Sequence, residues 1–359
     1  ETIYISSEGQ VRQGVGPFVR RYSLDGTFEM EILVPDRYSP TIGDQRGPRH
    51  NFGFESLTLS PDKQVLFAAL ENALLQDGPQ AALDVRSPAR LLEIEMPSGQ
   101  LRAEYLYLTE PLAAPSTVPG GVEAAGLVDL LARDQRNLLA MERSFSLGAG
   151  NTVTLFHIDL EGATNILAMP ALKEHDLEQV LPVRKELLFD LADLGLYVDN
   201  LEGMTLGPIL ADGRRTLILV SDDNFNPFVQ VTQFFAFALS DQAISVAAVQ
   251  GAGHRSPLED QWVRGLTGVV TGTRSGEEVE FWIEDLEDAG DLATSWGVLV
   301  WHPDASAEPA VGDQVEIAGR VGERQRSGEL AVTWIEASQV RVLSRDQPML
   351  PAARLSERD

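Results

Sequence analysis

Four times along the chain an apolar, strand-like run ends on a carboxylate: Ile3-Tyr4-Ile5-Ser6-Ser7-Glu8, Val65-Leu66-Phe67-Ala68-Ala69-Leu70-Glu71, Leu138-Leu139-Ala140-Met141-Glu142 and Leu217-Ile218-Leu219-Val220-Ser221-Asp222-Asp223. Upstream of the last three stands a second acid inside an apolar strand: Glu55, Asp129 and Glu202. After each terminal acid come a loop and another alternating run, such as Arg90-Leu91-Leu92-Glu93-Ile94-Glu95 or Gln233-Phe234-Phe235-Ala236-Phe237-Ala238-Leu239. Alternation at period two marks strands with unlike faces. A unit of about four strands recurring at tens of residues predicts an all-β fold built as a β-propeller. The spacing of the acids exceeds the roughly 40 to 50 residues of a compact blade. The excess belongs in loops, where sites are commonly built.

Past residue 250 the repeat stops. Gln250 to Gln261 carries Gly251, Gly253 and Pro257 and reads as a linker, placed at 251–261. From 262 to 345 five strand-like runs, with Val311-Gly312-Asp313 as the turn before the fourth, predict a small OB-like barrel. Trp282, Trp301 and Trp334 lie among its apolar residues and are expected to pack in its core or at a domain interface. The tail, 346–359, lacks an apolar period and is expected to be extended. Met169 to Leu181 mixes charged and apolar positions and suggests a short surface helix. The organisation expected is therefore a propeller domain over 1–250, a linker, a barrel and a tail. The first residue, Glu1, already stands at a strand edge. That start reads as a processed or truncated boundary, which would leave the propeller incomplete.

Composition narrows the function. The net charge is −26, with 54 acids against 28 bases, and the acids exceed the bases in the barrel segment too. A nucleic-acid binder needs a basic stripe, so nucleic-acid binding is not expected. Cysteine is absent, which excludes disulfides, thiolate zinc sites and cysteine nucleophiles. No apolar run approaches the length of a membrane helix, so no membrane partner is expected. The five histidines, at 50, 157, 175, 254 and 302, show no metal-ligand spacing. His157, between Phe156 and Ile158, reads as a packing residue. No Gly-x-Ser-x-Gly elbow occurs, so a serine esterase of the α/β-hydrolase type is not indicated.

Inner propeller strands converge on one axis, so acids at equivalent points would form a ring of negative charge. Such a ring raises its own pKa values or takes a cation, and carboxylate oxygens suit calcium. The candidate metal ligands are Glu8, Glu71, Glu142, Glu202, Asp222 and Asp223, the last two joined by Asn224 in an oxygen-rich cluster. The candidate catalytic groups are Glu55, Glu202, Arg143 and His50. Arg143, Arg49 and His50 adjoin acid positions and could clamp a phosphate oxygen; pairing with a channel acid is the alternative role for each arginine. Asp285, Asp288 and Asp291 stand three residues apart and offer a second calcium loop, or a solvated acidic loop.

The elements Asn51-Phe52-Gly53-Phe54-Glu55-Ser56-Leu57, Met141-Glu142-Arg143, Asp199-Asn200-Leu201-Glu202-Gly203-Met204 and Ser221-Asp222-Asp223-Asn224-Phe225 occur in order and resemble the family called esterase-like activity of phytase, over about residues 1–249. Early blades of that family have no counterpart here. Gly290-Asp291-Leu292-Ala293-Thr294-Ser295-Trp296-Gly297 and the Val-Gly-Asp turn resemble the OB-like module of secreted bacterial nucleases, over about 262–352, in which a catalytic domain commonly follows. These resemblances imply an extracellular or periplasmic protein and a calcium-assisted phosphoesterase acting on small phosphate esters. A non-catalytic module presenting a substrate to a larger nuclease or phosphatase is the alternative.

Overall fold

In the computed structural model, residues 2–41, 45–211, 214–226, 228–239, 244–274, 279–285, 294–303, 309–325 and 330–348 are described. The chain divides into two compact units, Glu1–Leu239 and Ser240–Asp359.

The first unit is a run of antiparallel meanders. Strands β1 (Thr2–Ser7), β2 (Phe18–Ser23) and β3 (Phe28–Ile32) form one sheet. β4 (Phe54–Leu59), β5 (Val65–Leu70), β6 (Pro88–Glu95) and β7 (Gln100–Leu108) form the second. β8 (Glu123–Ala132), β9 (Asn137–Ser146), β10 (Gly150–Asp159) and β11 (Arg184–Asp190) form the third, and β12 (Leu201–Ile209), β13 (Arg215–Ser221) and β14 (Phe234–Leu239) the fourth. These sheets are propeller blades.

Period-two patterning explains how the blades stack. Leu66, Ala68 and Leu70 of β5 join Val19 and Ile32 of the first blade in one core, while Val65, Phe67 and Ala69 of the same strand join Leu127, Leu138 and Phe156 of the third blade. β9 divides likewise: Leu138 and Ala140 face backward, and Leu139 and Met141 face the fourth blade's Leu217 and Leu219. A strand buried on both faces reads as a continuous apolar run, hence the uninterrupted Val-Leu-Phe-Ala-Ala-Leu of β5. Burial of this kind, about 25 cal/mol per Å² of apolar surface, is the main cohesion between blades.

The segment expected to be a helix near Met169–Leu181 instead forms two short 3₁₀ turns, Leu172–Glu174 and Leu177–Gln179, the second capped by the Asp176 carboxylate. A buried ionic network fastens it. Arg90, wholly buried, makes a bidentate pair with Asp77 (2.6 and 2.9 Å), a 2.6 Å bond to Glu104 and a bond to the Met169 carbonyl. Arg37 adds bonds to Glu104 and to the Leu167 and Met169 carbonyls.

The second unit is a closed barrel in the order β15 (Trp262–Arg274), β16 (Val279–Glu284), β17 (Gly297–His302), β19 (Val332–Ser344), β18 (Gln314–Arg324). β17 and β19 run parallel and the other neighbours antiparallel. Helix α1 (Val246–Gln250) belongs to this unit. Val246 and Val249 are buried with Val263, Phe281 and Ile335. The expected boundary near 250 and the linker at 251–261 are thereby revised. Ser256 is buried and hydrogen-bonded to the Val249 carbonyl, so the Gly- and Pro-bearing stretch is a turn packed onto the barrel. The three tryptophans are half-buried on positions that alternate with the barrel's core residues. Trp301 and Trp334 meet edge to face at 5.9 Å, and the Arg274 guanidinium lies 5.5 Å from the Trp282 ring. Of the tail, Gln347 is tied to the Gly312 carbonyl, and residues 349–359 lie outside the described ones. Among the described residues no helix is long and apolar enough to cross a membrane.

Candidate functional site

The innermost strands β4, β8 and β12 each carry one extra residue relative to their partner. The register skips Glu55 between Phe54 and Ser56, Val128 between Leu127 and Asp129, and Glu202 between Leu201 and Gly203. Such a bulge re-aims a side chain, and these three align the blades residue by residue. Phe54 pairs Leu70, Leu127 pairs Glu142, and Leu201 pairs Ser221. The residue after each partner is therefore Glu71, Arg143 and Asp222. Glu8 is the fourth member: Gly53, just before β4, packs on Glu8 as Gly126 of β8 packs on Glu71. A Cβ on Gly53 would lie 2.5 Å from Glu8 Cα, and one on Gly126 would lie 2.6 Å from Glu71 Cγ. Glycine is required at both by proximity alone.

The expected ring of terminal acids is thus corrected at one member. Glu8, Glu71 and Asp222 are equivalent, and the third blade presents Arg143 where Glu142 was expected. Glu142 points to the other side of its strand, where it is buried and accepts from Tyr107 Oη (2.6 Å), the Glu110 amide (2.6 Å) and Lys185 Nζ (2.7 Å). Lys185 also pairs with Glu110 at 2.7 Å and lies 4.3 Å from the Phe156 ring centre. These contacts clamp the second blade to the third. Burial raises the Glu142 pKa, and Lys185 opposes the rise. Asp129, the third blade's upstream acid, faces the fourth blade. It accepts from the Leu130 and Met204 amides at 2.8 and 2.7 Å, joining β8 to β12, and burial raises it to about 7.

The acids that do share one electrostatic environment are Glu8, Glu55, Glu71, Glu202 and Asp222. Glu55 is raised to about 9, first by burial and then by Glu71 and Glu8, the latter within hydrogen-bonding reach. Glu71, 4% exposed, is raised to about 8, chiefly by burial, with Arg143 opposing. Glu202 is raised by burial, held back by Arg143 and pushed further by Asp222 and Glu8. Arg143 Nη2 lies 3.1 Å from Glu202 Oε1, and its buried Nε has no hydrogen-bond partner among the described residues.

The remaining candidates fall elsewhere. Asp223 holds its loop, accepting from the Phe225 amide (3.0 Å) and from Thr232 Oγ1 (3.0 Å). His50 is exposed. Arg49 donates to the Ala73 and Gly78 carbonyls, a loop-fixing role. His157 lies in β10, half-buried. In the barrel, Asp285 accepts from the Val246 and Ala247 amides at 2.7 and 3.0 Å and so caps α1, while Asp288 and Asp291 lie outside the described residues. A cleft of about 530 Å³, lined by Arg86, Pro88, Leu108, Leu172 and Lys173 among others, shares no residue with the acid cluster.

For a metal, the donor set of Glu8, Glu71 and Asp222 is all carboxylate, the chemistry a hard cation takes. Among the described residues no three acids or histidines already surround one point. In donor type such carboxylates suit calcium, and Arg143 relieves part of their charge.

With this geometry in view, residues 1–225 match the phytase-like family described as esterase-like activity of phytase. The chain belongs to that family, and its first unit is a propeller of the phytase-like esterase type. An uncharacterized secreted protein of Arthroderma benhamiae is 30% identical in an alignment 122 residues long that covers 27% of this chain and 23% of that protein. The chain thus spans about a quarter of that relative's length. The periplasmic gluconolactonase PpgL of Pseudomonas aeruginosa aligns over 96% of this chain and all of its own, at 12% identity and a TM-score of 0.25. So loose a superposition adds nothing to a fold that the strand pairings already define.

Proposed function

We propose that the acid-lined centre of the propeller hydrolyses phosphate esters with calcium as its cation, in an extracellular or periplasmic setting. The observation that carries this reading is Arg143, the base standing where three other blades present Glu8, Glu71 and Asp222, with a buried Nε that has no partner among the described residues. A guanidinium so placed is suited to a phosphoryl oxygen, which it can bind through two donors. The surrounding acids would repel a phosphate unless their charge were reduced. Glu55, raised to about 9 chiefly by burial, reduces it by holding a proton, and that proton would pass to the departing alkoxide as water adds to phosphorus and the ester P–O bond breaks, the water's own proton returning to Glu55. Glu8, Glu71 and Asp222 are the carboxylates that would hold calcium, which when bound supplies charge neutralisation and Lewis acidity toward the phosphate. Glu202 orients Arg143. The secreted relative in Arthroderma supports a location outside the cytoplasm, and the family name supports ester chemistry.

The test is an assay of p-nitrophenyl phosphate and phytate in millimolar calcium and in excess chelator, with Arg143→Ala and Glu55→Gln alongside. Turnover that needs calcium and is lost in both variants is the expected result. Binding of phosphate ester without turnover would make the propeller a presenting module, and neither binding nor turnover would remove the phosphoesterase reading.

A further inference from the structure

The loop that follows Asp222 exposes large apolar side chains and is hydrogen-bonded at both limbs. Phe225 is 100% and Phe228 94% exposed, and Val229 is exposed beside them. A soluble surface seldom spends aromatic side chains this way without a binding role. The backbone is pinned at both limbs: Asp222 accepts from the Asn224 amide at 2.8 Å, and Asp223 bonds the Phe225 amide on one limb and Thr232 Oγ1 on the other. The Val231 amide is bonded to Asp199, and its carbonyl to Ser221 Oγ. Phe225 itself sits at φ 54°, a left-handed conformation that is costly for a bulky residue and persists where the surroundings enforce it. The aromatic rings are therefore presented by design of the turn.

Asp222 joins this loop to the acid centre, since the carboxylate that caps Asn224 also acts on Glu202. The loop that bears the rings thus leaves the strand end that carries Asp222, with Phe225 three residues beyond it. Resting on the phosphoesterase reading, we infer that Phe225 and Phe228 bind the alcohol portion of the substrate, and that this portion is an aryl or medium-chain alkyl group in place of a polyol. Charge argues for that occupant: with a net charge of −26 and Asp222 and Asp223 at the start of the loop, an anionic membrane surface is repelled, whereas a small ester would place its single phosphate on Arg143 and its apolar tail on the rings.

The experiment compares ethyl, butyl and octyl phosphate, each below its micellar concentration and with calcium, on the wild type and on Phe225→Ser/Phe228→Ser. Because both side chains are exposed, the melting temperature should not move, and Phe228→Ser alone serves as a milder second variant. The expected result is a kcat/KM that rises with chain length and falls by about tenfold or more for octyl phosphate in the double variant, with ethyl phosphate unchanged. Octylphosphonate, whose C–P bond is not hydrolysed, is titrated calorimetrically in parallel. Octylphosphonate binding that is lost in the double variant, with no turnover of any ester, would support the loop assignment while removing the hydrolase reading. Turnover indifferent to chain length and to both variants would overturn the loop assignment and leave the hydrolase reading standing. Loop-dependent binding to phosphatidylcholine vesicles, or a loop-dependent dimer in sedimentation, would also overturn it in favour of a lipid surface or a second copy.

Discussion

Arg143 of the third blade reaches Glu202 of the fourth, Nη2 to Oε1 at 3.1 Å, and so inserts positive charge into a centre otherwise lined by carboxylates. Removing it leaves Glu202, Glu71 and Glu8 with their mutual repulsion uncompensated. Arg143→Ala is expected to lower unfolding free energy by about 1–3 kcal/mol at pH 7, less than a fully buried pair because both partners retain some solvent contact. Arg143→Lys should recover part of the loss. Urea unfolding at fixed ionic strength reads both, and an Arg143→Ala protein as stable as the wild type would remove the compensating role.

Stability should decline as pH rises from about 4.5 to 9. Glu55, Glu71 and Asp129 are raised to about 9, 8 and 7, each chiefly by burial. The folded chain therefore holds protons that the unfolded chain has released, and in that window the unfolded state binds fewer, so unfolding free energy falls with pH. The contribution is fully present below the unfolded pKa values and is lost as pH passes the folded ones. Thermal melts between pH 4.5 and 9 are expected to show it, and Glu71→Gln should flatten the slope between pH 5 and 8.

Calcium should raise the melting temperature, and more at pH 9 than at pH 5, because at high pH it replaces protons the acids have lost. A ligand that binds only the folded form contributes about 2.7 kcal/mol at a hundredfold excess over Kd, which for a unit this size is a shift of roughly 5 °C or more. Asp222→Asn should reduce the shift. Asp285→Asn should leave the calcium shift intact while destabilising the barrel by about 1 kcal/mol, as expected for loss of a helix cap. Identical melts in millimolar calcium and in excess chelator would argue against a cation at this centre.

Lys185→Met tests the clamp between the second and third blades. It strands Glu142, which is 6% exposed, with Tyr107 and one amide as its remaining partners. The expected cost is about 3 kcal/mol or more. Glu142→Gln with Lys185→Met should recover much of it, since the pair is then removed together. If the double variant is as unstable as the single one, packing around Lys185 and not charge accounts for the loss.

Much of the architecture was legible from patterning alone. Strand β5 was legible because its six-residue apolar run is too short for a buried helix and fits a strand buried on both faces, and the acids ending β1, β5 and β13 fell into register. The third blade did not, for a physical reason. Its bulge falls on Val128 where the neighbouring blades have Glu55 and Glu202, so its acids, Asp129 and Glu142, are displaced by one residue to other faces. One residue is enough, because side chains alternate at period two. Only the strand pairing reveals the offset, and with it the place of Arg143 among the acids. The barrel boundary misled for a different reason: Gly251, Gly253 and Pro257 have the composition of a linker, but Val246 and Val249, three apart on one helical turn, are what the barrel core holds. The Arg90 network left a single trace in sequence, a charge at the start of the apolar Arg90-Leu91-Leu92 run.

Gly53 and Gly126 set how closely the first three blades approach one another. Each lets a strand start seat directly against the carboxylate-bearing residue of the blade before it, with the Leu127 amide 3.1 Å from the Glu71 carbonyl. A single methyl at either place would act as a shim, prising adjacent blades apart at the axis and diluting the field the acids make together. The distance between neighbouring acids is thus gauged by two missing atoms, and those side chains inherit their crowding from that spacing.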